Sequence, residues 1–276
     1  MEVIERTINY SRSESYTIYP IGDIHLGVTH CDEDLLEKTI DEIKHDPHAL
    51  WLGMGDYADC VTPSDFKRWD GRILADWMKG QEDNIGATQC EYADKMFSPI
   101  WNKCIGLLEG NHEESIRKFN HYNLMTELLK KANLKNKVPY GGVSSMVRLN
   151  FKRKNSKEAH DYIIHARHGE GAARTSGARA LAVLRLSAVF VNAHITLMGH
   201  LHGQESPDIP QRLILRNGKI TAFETIATMT GAWVRAYAQG VPASYLERWG
   251  SPPSTLGCPK IILHPQTGQM ILQKSK

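Results

Sequence analysis

Residues 16–25 read Tyr-Thr-Ile-Tyr-Pro-Ile-Gly-Asp-Ile-His. Tyr16 to Ile21 is a β-rich run, it stops at Gly22, and Asp23 and His25 stand just beyond its end. The next stretch, Asp32 to His45, carries Leu35, Leu36, Ile40 and Ile43 at helical spacing, and Asp46-Pro47 ends it. Ala49 to Met54 is again a short apolar run, closing at Gly55-Asp56, so the opening reads strand, helix, strand.

Working outward, residues 61–84 have no clean period and carry Pro63, Gly71 and Gly80, which predicts an insertion with broken helices. A helix is expected from about Gly86 to Cys104, kinked or split at Pro99. Ile105 to Leu108 reads as the third strand, ending at Gly110-Asn111-His112, and Asn123 to Ala132 as a helix. From Ser145 the period becomes two, with Val147, Leu149 and Phe151 on one face and a return strand from Asp161 to Ala166 that stops before His168. Arg174 to Val191 is helical, and Ile195 to Met198 is a strand closing at Gly199-His200. Hairpins are expected over Arg212 to Ile226, turning at Asn217-Gly218, and over Ile261 to Leu272, turning at Thr267-Gly268.

Alternating β and α elements followed by hairpins predict an α/β chain: two mixed sheets packed face to face with helices outside, a four-layer α-β-β-α sandwich. No stretch rich in Pro, Gly or Ser separates two domains. One domain over 1–276 is expected, with an insertion at about 61–104 and a cap or lid-like segment at about 228–258. Within the latter, Trp233, Arg235, Tyr237, Tyr245, Arg248 and Trp249 are a mixture able to stack bases and grip phosphates, although a lid, a packed loop or a subunit contact is the simpler reading.

Lys and Arg number 33 against 31 acids, a formal net charge of +2, so charge alone announces neither a nucleic acid nor a membrane surface. The 5 cysteines are widely spaced with no CxxC pair, which argues against a disulfide framework or a thiolate zinc site and fits a reducing cytoplasm. No apolar run is long enough to predict a membrane span.

Chemistry-bearing residues cluster just after the strands: Gly22-Asp23-Ile24-His25, Gly55-Asp56-Tyr57-Ala58-Asp59, Gly110-Asn111-His112-Glu113, His168-Gly169 and Gly199-His200-Leu201-His202. A rigid scaffold presents reactive groups on such loops, and the glycines allow sharp turns. Asp-x-His puts an oxygen and a nitrogen donor on one side of an extended segment, and His200-Leu201-His202 repeats the spacing. Carboxylate, imidazole and amide donors without thiolate suit manganese, iron, zinc or magnesium. The donors exceed what one tetrahedral ion needs, so two divalent ions are expected, bridged by a carboxylate at about 3.5–4 Å and sharing a hydroxide. His168 is preferred over His165 as a ligand because Gly169 follows it. His165 falls two residues from Ile163, at a core-facing or hydrogen-bonded position. Asp59 either orients an imidazole or caps a turn, and Glu113 and Glu114 suit the start of a helix. The remaining histidines have no motif context.

These clusters, in this order, resemble the calcineurin-like metallophosphoesterases, whose pattern runs DxH, GDxxD or GDxxN, GNH followed by D or E, an isolated His, and GHxH. The resemblance covers Asp23 to His202 and implies that Asp23, His25 and His202 hold one metal. It likewise implies that Asn111, His168 and His200 hold the other, that Asp56 bridges them, and that His112 protonates the leaving oxygen. Asn111 and His112 would then also meet the substrate. Manganese is the preferred metal.

The Ser/Thr phosphatases within that superfamily carry arginines directly before GNH and after GDxxD. Glu109 and Cys60 stand there in this chain, so the grip on a phosphomonoester dianion is expected to be weaker. Arg68, Arg167 and Arg174 are candidates to replace those clamps. The expected activity is therefore phosphodiester hydrolysis, on a nucleotide or nucleic acid, by in-line attack of the bridging hydroxide. The alternatives are a phosphomonoesterase and a non-catalytic metal-binding scaffold for a protein partner. A homo-oligomer is left open.

Overall fold

A computed structural model describes residues 1–208 and 212–275. Strands β1 (Glu2–Tyr10) and β2 (Tyr16–Ile21) open the chain, followed by α1 (Glu33–His45), β3 (Ala49–Gly53), α2 (Ile85–Phe97), β4 (Cys104–Leu108), α3 (Asn111–Asn120) and α4 (Leu124–Ala132). Next come β5 (Tyr140–Gly142), β6 (Ser144–Arg153), β7 (Ala159–Arg167), α5 (Ser176–Ser187) and β8 (Ile195–Met198). The chain closes with β9 (Arg212–Arg216), β10 (Lys219–Phe223), β11 (Ile226–Met229), α6 (Tyr245–Arg248), β12 (Lys260–His264) and β13 (Gln269–Gln273).

A 6-stranded sheet runs β13-β12-β2-β3-β4-β5 and a 5-stranded sheet runs β1-β6-β7-β8-β11. Both are mixed. β2, β3, β4 and β5 are parallel, with β12 and β13 added antiparallel, whereas β6 and β7 are antiparallel between parallel neighbours. Between the sheets lies one core: Ile18, Leu52, Ile105 and Ile261 from the first meet Val147, Leu149, Phe151 and Ile164 from the second. The period-two face read from Ser145 onward is thus the inner face of β6, each of its three apolar side chains fully buried.

Helices cover the two outer faces. Leu36, Ile40 and Ile43 of α1 join Cys90, Ala93 and Phe97 of α2 over the 6-stranded sheet. Val183 and Leu186 of α5 pack on Met198 and Met229 of the other. Asp32 caps α1, its carboxylate accepting from Leu35 N at 3.1 Å. Pro99 opens a 3-10 turn, Ser98–Lys103, where α2 ends, the break its missing N–H imposes. The two-sheet α/β architecture is as the sequence predicts. No helix of the described residues is long and apolar enough to cross a membrane.

Two strands differ from expectation. β1 pairs in parallel with β6 at the sheet edge, where only Ile4 and Tyr10 are fully buried, so its polar residues dilute the alternation. The hairpin expected to run to Ile226 stops at Phe223. Ile226–Met229 leaves it to pair in parallel with β8, since Ala227 and Met229 bury against α5 rather than across the hairpin.

Candidate metal centre

The parallel strands of both sheets end at one rim. β2 delivers Asp23 and His25, β3 delivers Asp56, β4 leads to Asn111 and His112, β7 to His168, and β8 to His200 and His202. The donor atoms of Asp23, His25 and His202 lie within 4.8 Å of one another, as do those of Asp56, His168 and His200, and of His25, Asp56 and His112. Asn111 Oδ1 sits 3.0 Å from His168 Nε2 and 2.8 Å from His200 Nδ1. Asp56 Oδ2 lies 3.3 Å from His168 Nε2 and 3.9 Å from His25 Nε2, between the two groups.

How the donors converge is not as the sequence implies. Asp23, His25, Asp56, His200 and His202 all have φ between 50° and 69°, in the left-handed region. Asp-x-His and His-x-His are therefore not extended segments. Each such residue stores about 1–3 kcal/mol of backbone strain, which the surrounding structure has to hold. Part of that hold is Asp23 N and Ile24 N donating to Gly55 O and Asp56 O, at 2.9 and 2.8 Å. Gly55 and Gly110 are required where the loops touch. A Cβ at Gly55 would come within 2.6 Å of Gly110 N, and one at Gly110 would overlap the Asp56 carboxylate.

The imidazoles are oriented from behind. His168 Nδ1 donates to Met54 O at 2.8 Å and His200 Nε2 to Gly171 O at 3.0 Å, which turns the opposite nitrogen of each ring toward Asn111 Oδ1 and the donor cluster. His112 Nδ1 donates to Asp59 O, which turns its Nε2 away from that contact. The Asp59 carboxylate lies 3.7 Å from His25 Nδ1 and 3.9 Å from His112 Nδ1, so the residue left open between two roles stands beside two site imidazoles.

Glu113 does more than begin a helix. Buried at 1% exposure, it accepts from the main-chain N–H groups of Asp56, Tyr57 and Gly110 at 2.7–2.9 Å, clamping the Asp56 loop to the amino end of α3. Nothing in the sequence except its place after Asn111-His112 points to this. Glu113→Gln turns an amide donor toward N–H donors and is expected to cost about 3 kcal/mol of stability, read from chemical denaturation. An unchanged denaturation midpoint would contradict the clamp.

Burial pushes the Asp23 carboxyl up to about 7. Asp56 moves the other way: burial opposes its charge, but His168, His112 and His25 outweigh that and hold it well below the usual range. His168, despite burial, is raised to about 10 by Asp56, while burial lowers His200 and His202. Without metal, then, a proton on His168 balances Asp56. The donor set fits divalent cations: buried carboxylate oxygens and imidazole nitrogens converge, with His25 Nε2 only 3.2 Å from His202 Nε2.

His165 is not among the converging donor groups. It lies on the face of β7 away from the intersheet core, against Phe190 with ring centroids 4.6 Å apart and Ser144 Oγ at 3.3 Å. Burial lowers its pKa to about 4. Between that value and an unfolded value near 6.5, only the unfolded chain binds the proton, so stability falls as pH drops through this window. His165→Phe is expected to remove roughly 1 kcal/mol of the stability difference between pH 7 and pH 5. Equal pH slopes for the two proteins would refute this.

Above the donors is a pocket of about 390 Å³, lined by His25, Asp56, Asn111, His112, His200 and His202 on one side and by Arg68, Arg174, Tyr245 and Trp249 on the other. Residues after β11 reach it because Trp233 N donates to Asp23 O at 3.1 Å and Asp32 N to Trp233 O at 2.7 Å. Of the candidate clamps, Arg68 and Arg174 line the pocket, whereas Arg167 pairs with Glu170 at 2.9 Å. Glu109 is buried and bonded to Tyr140 and Arg117.

The family model for calcineurin-like phosphoesterases matches residues 16–204, more than half of the chain, and the chain belongs to that family. The curated proteins give no match. Family and site together are those of a metal-dependent phosphoesterase.

Proposed function

We propose that this protein hydrolyses a phosphodiester, of a nucleotide or nucleic acid, with two divalent ions, manganese preferred. One ion would be held by Asp23, His25 and His202 and the other by Asn111, His168 and His200, with Asp56 shared. The observation that carries this is the position of Asp56, whose carboxylate lies between the two donor groups. When bound, such ions supply a hydroxide near neutral pH and neutralise phosphate oxygens.

The chain's own residues do the rest. The amino end of α3 faces the site, with His112 N donating to Asp56 Oδ1 at 2.9 Å, and favours an anion there. Asn111 and His112 occupy its first turn, where both can meet a phosphoryl group. With Nδ1 held by Asp59 O, His112 presents Nε2 as the donor of a proton to the leaving oxygen. A diester is favoured over a monoester because the positions before Gly110 and after Asp59 offer no guanidinium for a second phosphate charge.

The test is hydrolysis of bis(p-nitrophenyl) phosphate and of p-nitrophenyl phosphate with manganese, magnesium, zinc or no metal. Manganese-supported cleavage of the diester, faster than of the monoester, is expected. Metal binding without cleavage of either ester would favour the scaffold reading instead.

A further inference from the structure

Arg174 is held at the pocket wall but not neutralised. Its Nη1 donates to Trp249 O at 3.2 Å and its guanidinium carbon sits 5.3 Å from the centre of the Trp249 ring. No carboxylate lies within ion-pair distance of it among the described residues. Arg68 and Arg248, which line the same pocket, are paired with Asp65 at 2.6 Å and Asp70 at 3.1 Å. A cation fixed by an aromatic ring and a carbonyl, and left without a counter-charge, is arranged for an anionic ligand.

The aromatic side chains form a path outward from the metal site. Tyr245 Oη is 3.2 Å from His202 Nε2, and the Tyr245 ring meets Trp249 edge-on with centroids 5.5 Å apart. Trp249 itself is 52% exposed, an aromatic surface on the pocket wall. Ser244 Oγ accepts from Glu247 N at 3.1 Å and itself donates to Ala236 O at 2.5 Å, so this short helix is fastened to the chain that follows β11. Arg248, bonded to Asp70, ties it to the 61–84 insertion as well.

We propose that Trp249, Tyr245 and Arg174 form a subsite for the nucleoside portion of the substrate, so that the group recognised is a single nucleotidyl unit: the base stacks at Trp249 and Arg174 contacts its phosphate. The assignment rests on the phosphoesterase reading above and narrows its substrate. Every base has a π-face, and the gain from stacking on one aromatic ring tolerates any base sequence. The pocket volume of about 390 Å³ is in the range of small-ligand sites and accommodates one nucleotide rather than the side of a duplex. A sugar phosphate lacking a base would leave Trp249 unused, and an aliphatic group would have no need of Arg174.

Calorimetric titration of the manganese-loaded protein with adenosine 5′-monophosphate and with ribose 5-phosphate tests this without requiring turnover. The nucleotide is expected to bind at least about ten-fold more tightly, as one stacked base implies. Trp249→Ala should bring that ratio close to one, and Trp249→Phe, which keeps a ring, should retain most of it. Arg174→Gln should weaken both ligands and leave the ratio in place. Equal affinities in the unaltered protein, or a ratio that survives Trp249→Ala, would overturn the subsite. Nucleotide preference without any metal-dependent hydrolysis would instead sink the phosphoesterase reading and leave the subsite standing.

Discussion

Asp56→Asn is expected to lose metal and turnover together. The substitution keeps shape and volume but removes a negative charge placed between His25 and His168, from which Oδ2 lies 3.9 and 3.3 Å away. Two dications brought close together repel each other, and a shared carboxylate is what offsets that repulsion. The metal content should fall from two ions per chain toward one or none. The rate of diester cleavage should drop roughly 10³-fold or more, a loss of about 4 kcal/mol of transition-state stabilisation. Elemental analysis after gel filtration and kcat/KM at saturating manganese measure the two effects separately. The gain in thermal stability on adding manganese, which follows from binding to the folded state alone, should shrink with them. A variant that holds two ions and turns over normally would show that Asp56 is not shared.

His112→Gln is expected to separate the two effects. His112 is held through Nδ1 by Asp59 O and through its main-chain N–H by Asp56, so its ring is fixed independently of any cation. Removing the ring should leave the metal content at two and lower kcat by about 10²–10⁴-fold for a substrate whose leaving group is an alkoxide, the usual scale for a lost general acid. p-Nitrophenolate is already a stable anion near neutral pH and should be affected far less. The contrast between the two leaving groups is the diagnostic. Equal losses for both would mean that His112 serves as a ligand or as a binding group rather than as the proton donor.

Both expectations concern residues whose place at the rim is legible in the sequence, because strand, glycine and donor are contiguous there. β2 and β3 end where Gly22 and Gly55 stop their apolar runs, and the donors follow at once. The face of β6 formed by Val147, Leu149 and Phe151 was legible for the same reason: alternation over a long strand has few competing explanations. β1 was not legible, since a half-exposed edge strand tolerates Glu2, Glu5 and Arg6 among its apolar residues. The boundary between β10 and β11 was hidden because the β-rich run continues through Phe223 to Met229 while its pairing partner changes.

At the site, residue identity was legible and backbone state was not. Asp and His are among the residue types enriched at positive φ, but that enrichment does not single out Asp23 or His202 from the other aspartates and histidines. That conformation is imposed by contacts between loops distant in sequence, such as Asp23 N with Gly55 O. The clamp made by Glu113 and the arrival of Tyr245 beside His202 have the same origin in long-range packing. Arg68, Arg167 and Arg174 are equivalent on paper, yet Arg167 turns to Glu170 while the other two reach the pocket.

Everything chemical depends on cations occupying the space among Asp23, His25, Asp56, Asn111, His168, His200 and His202. Anomalous diffraction at the manganese edge from crystals of the metal-loaded protein examines that space directly. Two peaks roughly 3.5–4 Å apart, with Asp56 touching both, are the predicted result. A single peak, or peaks elsewhere on the molecule with this cluster left bare, would contradict the binuclear site and the reaction built on it.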